Sequence, residues 1–258
     1  MAALPSVRFL VPLTAALVCA LVLAACGGGG EEGREGLTAR DITDEELVLM
    51  LLPKAEMGEQ YAGLSFVRDP GLTTADDIIK DAFQPEEQAE DLERFPLVSA
   101  SDVVYAESTI AEESGEPTGQ TVGFAVYLFE DAEAASGYVE EELADLEEQV
   151  GSMRTGPAHW DQKLTAAERF KPGRIGDESH GIRFTLTSFV DPSLTIDARA
   201  TVVWFRRGRL LASVSISTTI GDPDFRKAAE ALARKLDERI QAVLRGELTP
   251  MHVGGPGA

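Results

Sequence analysis

Few residues in this chain are of a type and spacing to do chemistry. Gly176-Asp177-Glu178-Ser179-His180-Gly181 brings a hydroxyl, an imidazole and two carboxylates together, the groups from which nucleophilic catalysis is built. A triad is a spatial arrangement and not a sequence neighbourhood, and no Gly-x-Ser-x-Gly elbow is present to expose the serine. The segment reads as a polar turn feeding a strand, so no catalytic residue is assigned. His159 beside Trp160 reads either as a packed aromatic pair or as part of a pocket lining, and His252 stands in the C-terminal tail. Asp222-Pro223-Asp224 offers two carboxylates, but proline suits a first helical turn and aspartate a cap. The sequence holds no His-x-x-x-His, no calcium-loop spacing and no Gly-x-Gly-x-x-Gly. No metal site or cofactor is therefore assigned. One side chain does receive a chemical role: the thiol of Cys26.

Residues 1–25 carry a single charged side chain, Arg8, followed by an apolar stretch from Phe9 to Ala25. That is the layout of a secretory signal peptide. The stretch is slightly short for a relaxed transmembrane span, which needs about 20 residues. Leu23-Ala24-Ala25-Cys26, followed by Gly27-Gly28-Gly29-Gly30, resembles the lipobox of bacterial lipoproteins. The resemblance implies cleavage before Cys26 and a diacylglyceryl group on its sulfur. Each buried methylene contributes about 0.8 kcal/mol, and two chains hold where one binds only reversibly. The expected address is the extracytoplasmic face of the cell membrane. Cys19 lies in the segment to be removed, which leaves Cys26 as the sole mature cysteine and allows no internal disulfide.

Composition narrows the partners. Asp and Glu number 44 against 23 Lys and Arg, a net charge of −21, and loss of Arg8 makes the mature chain one unit more negative. Nucleic acid is not an expected partner, because phosphate contacts need clustered Lys and Arg. Anionic headgroups would repel the same surface, so the lipid at Cys26 is the expected membrane contact.

Residues 26–40 read as a lipidated cysteine and a flexible Gly/Glu-rich tether, and residues 247–258 as a loose tail. Residues 41–100 read as an irregular, partly helical lobe. Within it, Thr43 and Glu46 form a capping box, Asp69-Pro70-Gly71 a turn, and Pro85–Arg94 a helix. Residues 101–246 read as an α+β domain of order β-β-α-β-β-β-α. The expectation is an antiparallel sheet of about five strands with two long helices packed on it. Strands are expected at 101–108, 121–129, 181–189, 196–206 and 209–217. Val122, Phe124, Val126 and Leu128 face one way in the second of these, and Ala125, Tyr127 and Phe129 the other, so it should be central and covered on both sides. Helices are expected at 131–150 and 223–245, with Glu133, Glu140, Glu141, Asp145 and Glu148 forming the solvated face of the first. Residues 152–176 read as a long connection.

Gly176-Asp177-Glu178 before a strand, the Val202–Arg209 hairpin and the closing helix resemble bacterial lipoprotein and extracellular sensor-like domains, among them the extracellular sensor domains of mycobacterial serine/threonine kinases. Those domains are disulfide-stabilised, which this chain with one mature cysteine is not. The resemblance implies a non-enzymatic binding or sensing domain. A carrier for an apolar small molecule, enclosed by the sheet and the 152–176 connection, is the alternative, and a hydrolase the third reading.

Overall fold

The computed structural model describes residues 40–81, 85–107, 109–110, 117–155, 161–191 and 194–249. The chain opens with short helices, α1 (Asp44–Met50) and α2 (Lys54–Met57), and a 3-10 turn at Glu59–Tyr61. Strand β1 (Ser65–Thr73) and helices α3 (Ala75–Asp81) and α4 (Pro85–Arg94) follow. Then come β2 (Leu97–Ala106), the small ribbon β3 (Thr109–Ile110) and β4 (Pro117–Thr118), β5 (Gln120–Phe129) and helix α5 (Ala132–Glu148). The remainder is β6 (Met153–Thr155), β7 (Asp161–Phe170), β8 (Glu178–Asp191), β9 (Leu194–Arg207), β10 (Leu210–Thr218) and helix α6 (Arg226–Leu244).

The class is α+β, but the expected five strands with two long helices is corrected. The described residues form one eight-stranded sheet in the order β1-β2-β5-β10-β9-β8-β7-β6, antiparallel throughout, with six α-helices. The additional strands lack an apolar signature. In β7 only Gln162 and Leu164 are buried, and Thr165-Ala166-Ala167-Glu168-Arg169 has no strand-like composition. Its nine paired positions against β8 supply the order that its side chains do not announce. The expected connection over 152–176 is therefore largely sheet. Asp69-Pro70-Gly71, expected as a turn, lies inside β1 at a register shift. Proline is tolerated there because β1 is an edge strand.

The sheet is covered on both faces. On one side Val122, Phe124, Val126 and Leu128 of β5 and Val214 and Ile216 of β10 meet Leu232, Leu236 and Ile240 of α6. Leu47, Met50 and Tyr61 of the N-terminal segment join the same core. On the other side Ile182, Trp204 and Leu211 meet Val139, Leu143 and Leu146 of α5. β5 is central, as its two apolar faces require.

Local chemistry explains how the helices start. The Thr43 hydroxyl accepts from the Glu46 backbone N–H at 3.3 Å, and the Glu46 carboxylate accepts from the Thr43 N–H at 3.1 Å, the reciprocal box that satisfies two orphan donors. Asp131 caps α5 by accepting from Ala134 N–H at 2.7 Å. Ser101 Oγ donates to Leu47 O at 2.9 Å and Tyr105 OH to Leu52 O at 3.2 Å, which binds the N-terminal segment to β2. The β9–β10 turn uses Gly208 at φ 56°. Asp177 accepts the Gly208 N–H at 2.8 Å, while Arg207 makes a two-pronged pair with Asp237 of α6 at 2.7 and 2.8 Å. Among the described residues no helix is long and apolar enough to cross a membrane.

Candidate functional site

Successive strand residues point to opposite faces, and this decides the fate of the Ser179–His180 pair. His180 lies on the α5 side of β8, opposite Trp204. Ser179 lies on the other side and donates from Oγ to Gly173 O at 3.4 Å. The acid and the imidazole do come together: His180 Nε2 is 3.0 Å from Glu178 Oε1, and Nδ1 is 3.3 Å from Glu140 Oε1 of α5. Glu178 Oε2 accepts from Ser136 Oγ at 2.7 Å and from Arg206 Nε at 3.2 Å. The His180 hydrogen bond above all, aided by Ser136 and Arg206 and against the opposing effect of burial, holds the Glu178 carboxyl down at about 2.

This cluster has the composition of a cation site, since one ligand atom from each of Glu140, Glu178 and His180 lies within 4.8 Å of the others. Its geometry is that of an ion-pair clamp. The two imidazole nitrogens diverge, each toward a different carboxylate. Arg206 and Arg169 occupy the remaining oxygens, Arg169 Nη1 donating to Glu140 Oε2 at 3.2 Å. The serine in reach, Ser136, bonds to the carboxylate and not to the ring, so the cluster holds no coupled nucleophile and base. Its evident work is to join α5 to β7, β8 and β9.

A second feature lies on the same face of the sheet. Gly123 of β5 and Ser213 and Ser215 of β10 form a floor of small residues, walled by Tyr138 of α5 and Trp204 of β9. Asp102 of β2 and Glu142 of α5 bring carboxylates to it. Both are buried, Asp102 7% and Glu142 3% exposed. Asp102 accepts from Arg68 Nη1 at 2.7 Å and from Thr73 Oγ1 at 2.8 Å. The enclosed room is about 30 Å³, space for a group or two of water size.

Sequence reasoning missed this cleft because its floor is made by small side chains. A glycine inside an apolar strand and serines alternating with Leu210, Ala212, Val214 and Ile216 were its only traces. The solvated-face reading of α5 also needs correction at Glu141, which is 2% exposed and paired with Arg94 of α4. Helix α4 packs beside α5 and removes that position from water. Asp222 and Asp224 turn out to serve surface pairs. Asp222 meets Arg183 at 3.0 Å, and Asp224, held at about 2 by the Arg226 side chain, precedes α6. Cys26, His159, Trp160 and His252 lie outside the described residues.

No family model matches the sequence, and no curated protein matches it. In fold, the chain is similar to the extracellular domain of PknH from Mycobacterium tuberculosis, with a TM-score of 0.50 and 12% identity over 78% of this chain and 98% of that domain.

Proposed function

We propose that this chain is an extracytoplasmic domain, tethered to a bacterial membrane through lipid on Cys26, that acts by binding or sensing. The observation that carries the reading is the fold likeness, which takes in 98% of an extracellular domain. The Leu23-Ala24-Ala25-Cys26 segment supports the same side of the membrane and supplies the tether. The separation of Ser179 from His180 across the sheet weighs against the hydrolase reading. The carrier reading loses its lid, because residues 153–155 and 161–170 are strands of the sheet.

Protease added to intact spheroplasts tests the side of the membrane. The domain should be digested while a cytosolic marker survives, and protection equal to the marker's would overturn the reading. Native mass spectrometry of the full chain purified from cells tests binding, with a co-purifying ligand or protein as the expected result.

A further inference from the structure

The loop that joins β7 to β8 and the N-terminal half of α6 form a cationic face on an acidic chain. Glu230 of α6 accepts the Gly173 N–H at 2.5 Å, and Arg234 Nη1 donates to Arg174 O at 3.1 Å. Pro172 and Ile175 anchor the loop by their burial. A Cβ at position 173 would run into Arg234 Nη2, so the loop sits close on the helix. Lys227 shares a helix face with Glu230 and Arg234, one and two turns away. Lys171, Arg174 and Lys227 are exposed, and no hydrogen bond or ion pair holds their side chains among the described residues. Arg234 is 46% exposed and stands 3.8 Å from Glu230. With 44 acids to 23 bases in the sequence, cations left without a carboxylate are the exception.

Stability alone does not explain this placement. The amino end of a helix carries partial positive charge and favours acids. α1 and α5 comply, with Asp44, Glu45 and Glu46 in one first turn and Glu133 in the other. The first turn of α6 holds Arg226 and Lys227 and no acid, and Asp224 just ahead of it is engaged by Arg226. Helix dipole and unpaired cations therefore add at one place, an arrangement suited to an anion. We propose that this face docks an acidic peptide segment of a protein partner. The proposal rests on the binding reading above and names the chemistry of what is bound. Charge decides between occupants. A bilayer or a nucleic acid would meet the whole body and its net charge of −21, and a second copy would bring another −21. A short segment touches the cationic face alone, since salt confines each exposed charge to about 8 Å at physiological ionic strength. The guanidinium forks of Arg174 and Arg234 match carboxylate geometry.

Fluorescence anisotropy of a rhodamine-labelled hexaglutamate peptide, titrated with the full chain in non-ionic detergent at constant ionic strength, tests this. Saturable binding is expected, and none to a hexalysine peptide. Lys227→Gln should weaken binding about threefold, and Arg174→Gln/Lys227→Gln about tenfold, the scale of one and two surface charge contacts. Lys163→Gln removes an equal charge from β7, seven residues before Phe170, and should change nothing. Lys227→Gln should also leave the urea midpoint unchanged or raise it, because it takes a cation from the amino end of a helix. A residue kept only for the fold would lower it. Equal responses in Lys227→Gln and Lys163→Gln, or tighter binding of polyphosphate than of hexaglutamate, would overturn the proposal. So would a sedimentation coefficient that rises with chain concentration and loses that rise in Lys227→Gln, which would assign the face to a second copy. A chain that ignores hexaglutamate yet co-purifies with another ligand would overturn it while leaving the binding reading intact.

Discussion

Single residues carry the sharpest consequences. Glu178 has its carboxyl held at about 2, against an ordinary value of 4.5. A carboxyl depressed by folding contributes stability that is present above the ordinary value and lost as pH falls through the folded one. The urea midpoint should therefore decline between about pH 4.5 and about pH 2, and Glu178→Gln should flatten that part of the profile while lowering the midpoint at neutral pH. An unchanged acid limb in the variant would show that Glu178 is not the group responsible. Thr43 offers a second residue-scale test. Thr43→Ala removes one half of the capping box and should cost about 1 kcal/mol in chemical denaturation. Little of this was legible beforehand. The capping box could be read from Thr43 and Glu46 because its partners are three residues apart. The clamp could not, because Glu140 and His180 are distant in sequence and meet only when α5 crosses β8.

At the scale of elements, legibility followed apolar alternation. β5, β8, β9 and β10 and the two long helices declare themselves because each buries a repeating face. β7 and β1 do not, since their order comes from backbone pairing with a neighbour rather than from side-chain burial. The cleft floor was illegible for a related reason: glycine and serine carry no periodic signal, and a void is a property of several strands at once. The β9–β10 turn shows how elements are locked together. Arg207 and Asp237 have side chains only 12% exposed and bond to each other through two hydrogen bonds. Removing one partner from such a pair leaves a buried charge uncompensated, at about 3–5 kcal/mol. Asp237→Ala should show that loss in guanidinium denaturation, and the double variant Asp237→Ala/Arg207→Met should recover part of it. No recovery would mean that Asp237 acts chiefly through its other neighbour, Gln241.

At the scale of the whole molecule, the sheet is a plate sandwiched between α1 and α6 on one face and α5 on the other. The described chain enters at one pole, where Arg40 Nη2 reaches Val243 O at 3.4 Å and Arg209 donates to Arg40 O at 3.2 Å. A body of net charge −21 gains nothing from anionic headgroups. Washing membranes in 1 M salt should therefore release none of the protein, whereas a surface-charge attachment would be screened and let go. The lipid tether on Cys26 is tested most directly by the intact mass of the protein extracted from membranes. The expected result is a polypeptide beginning at Cys26 and heavier than its sequence by a diacylglyceryl group, with both processing and added mass absent in Cys26→Ser. A wild-type chain that still carries Met1–Ala25, or one that begins at Cys26 without added lipid, would contradict it.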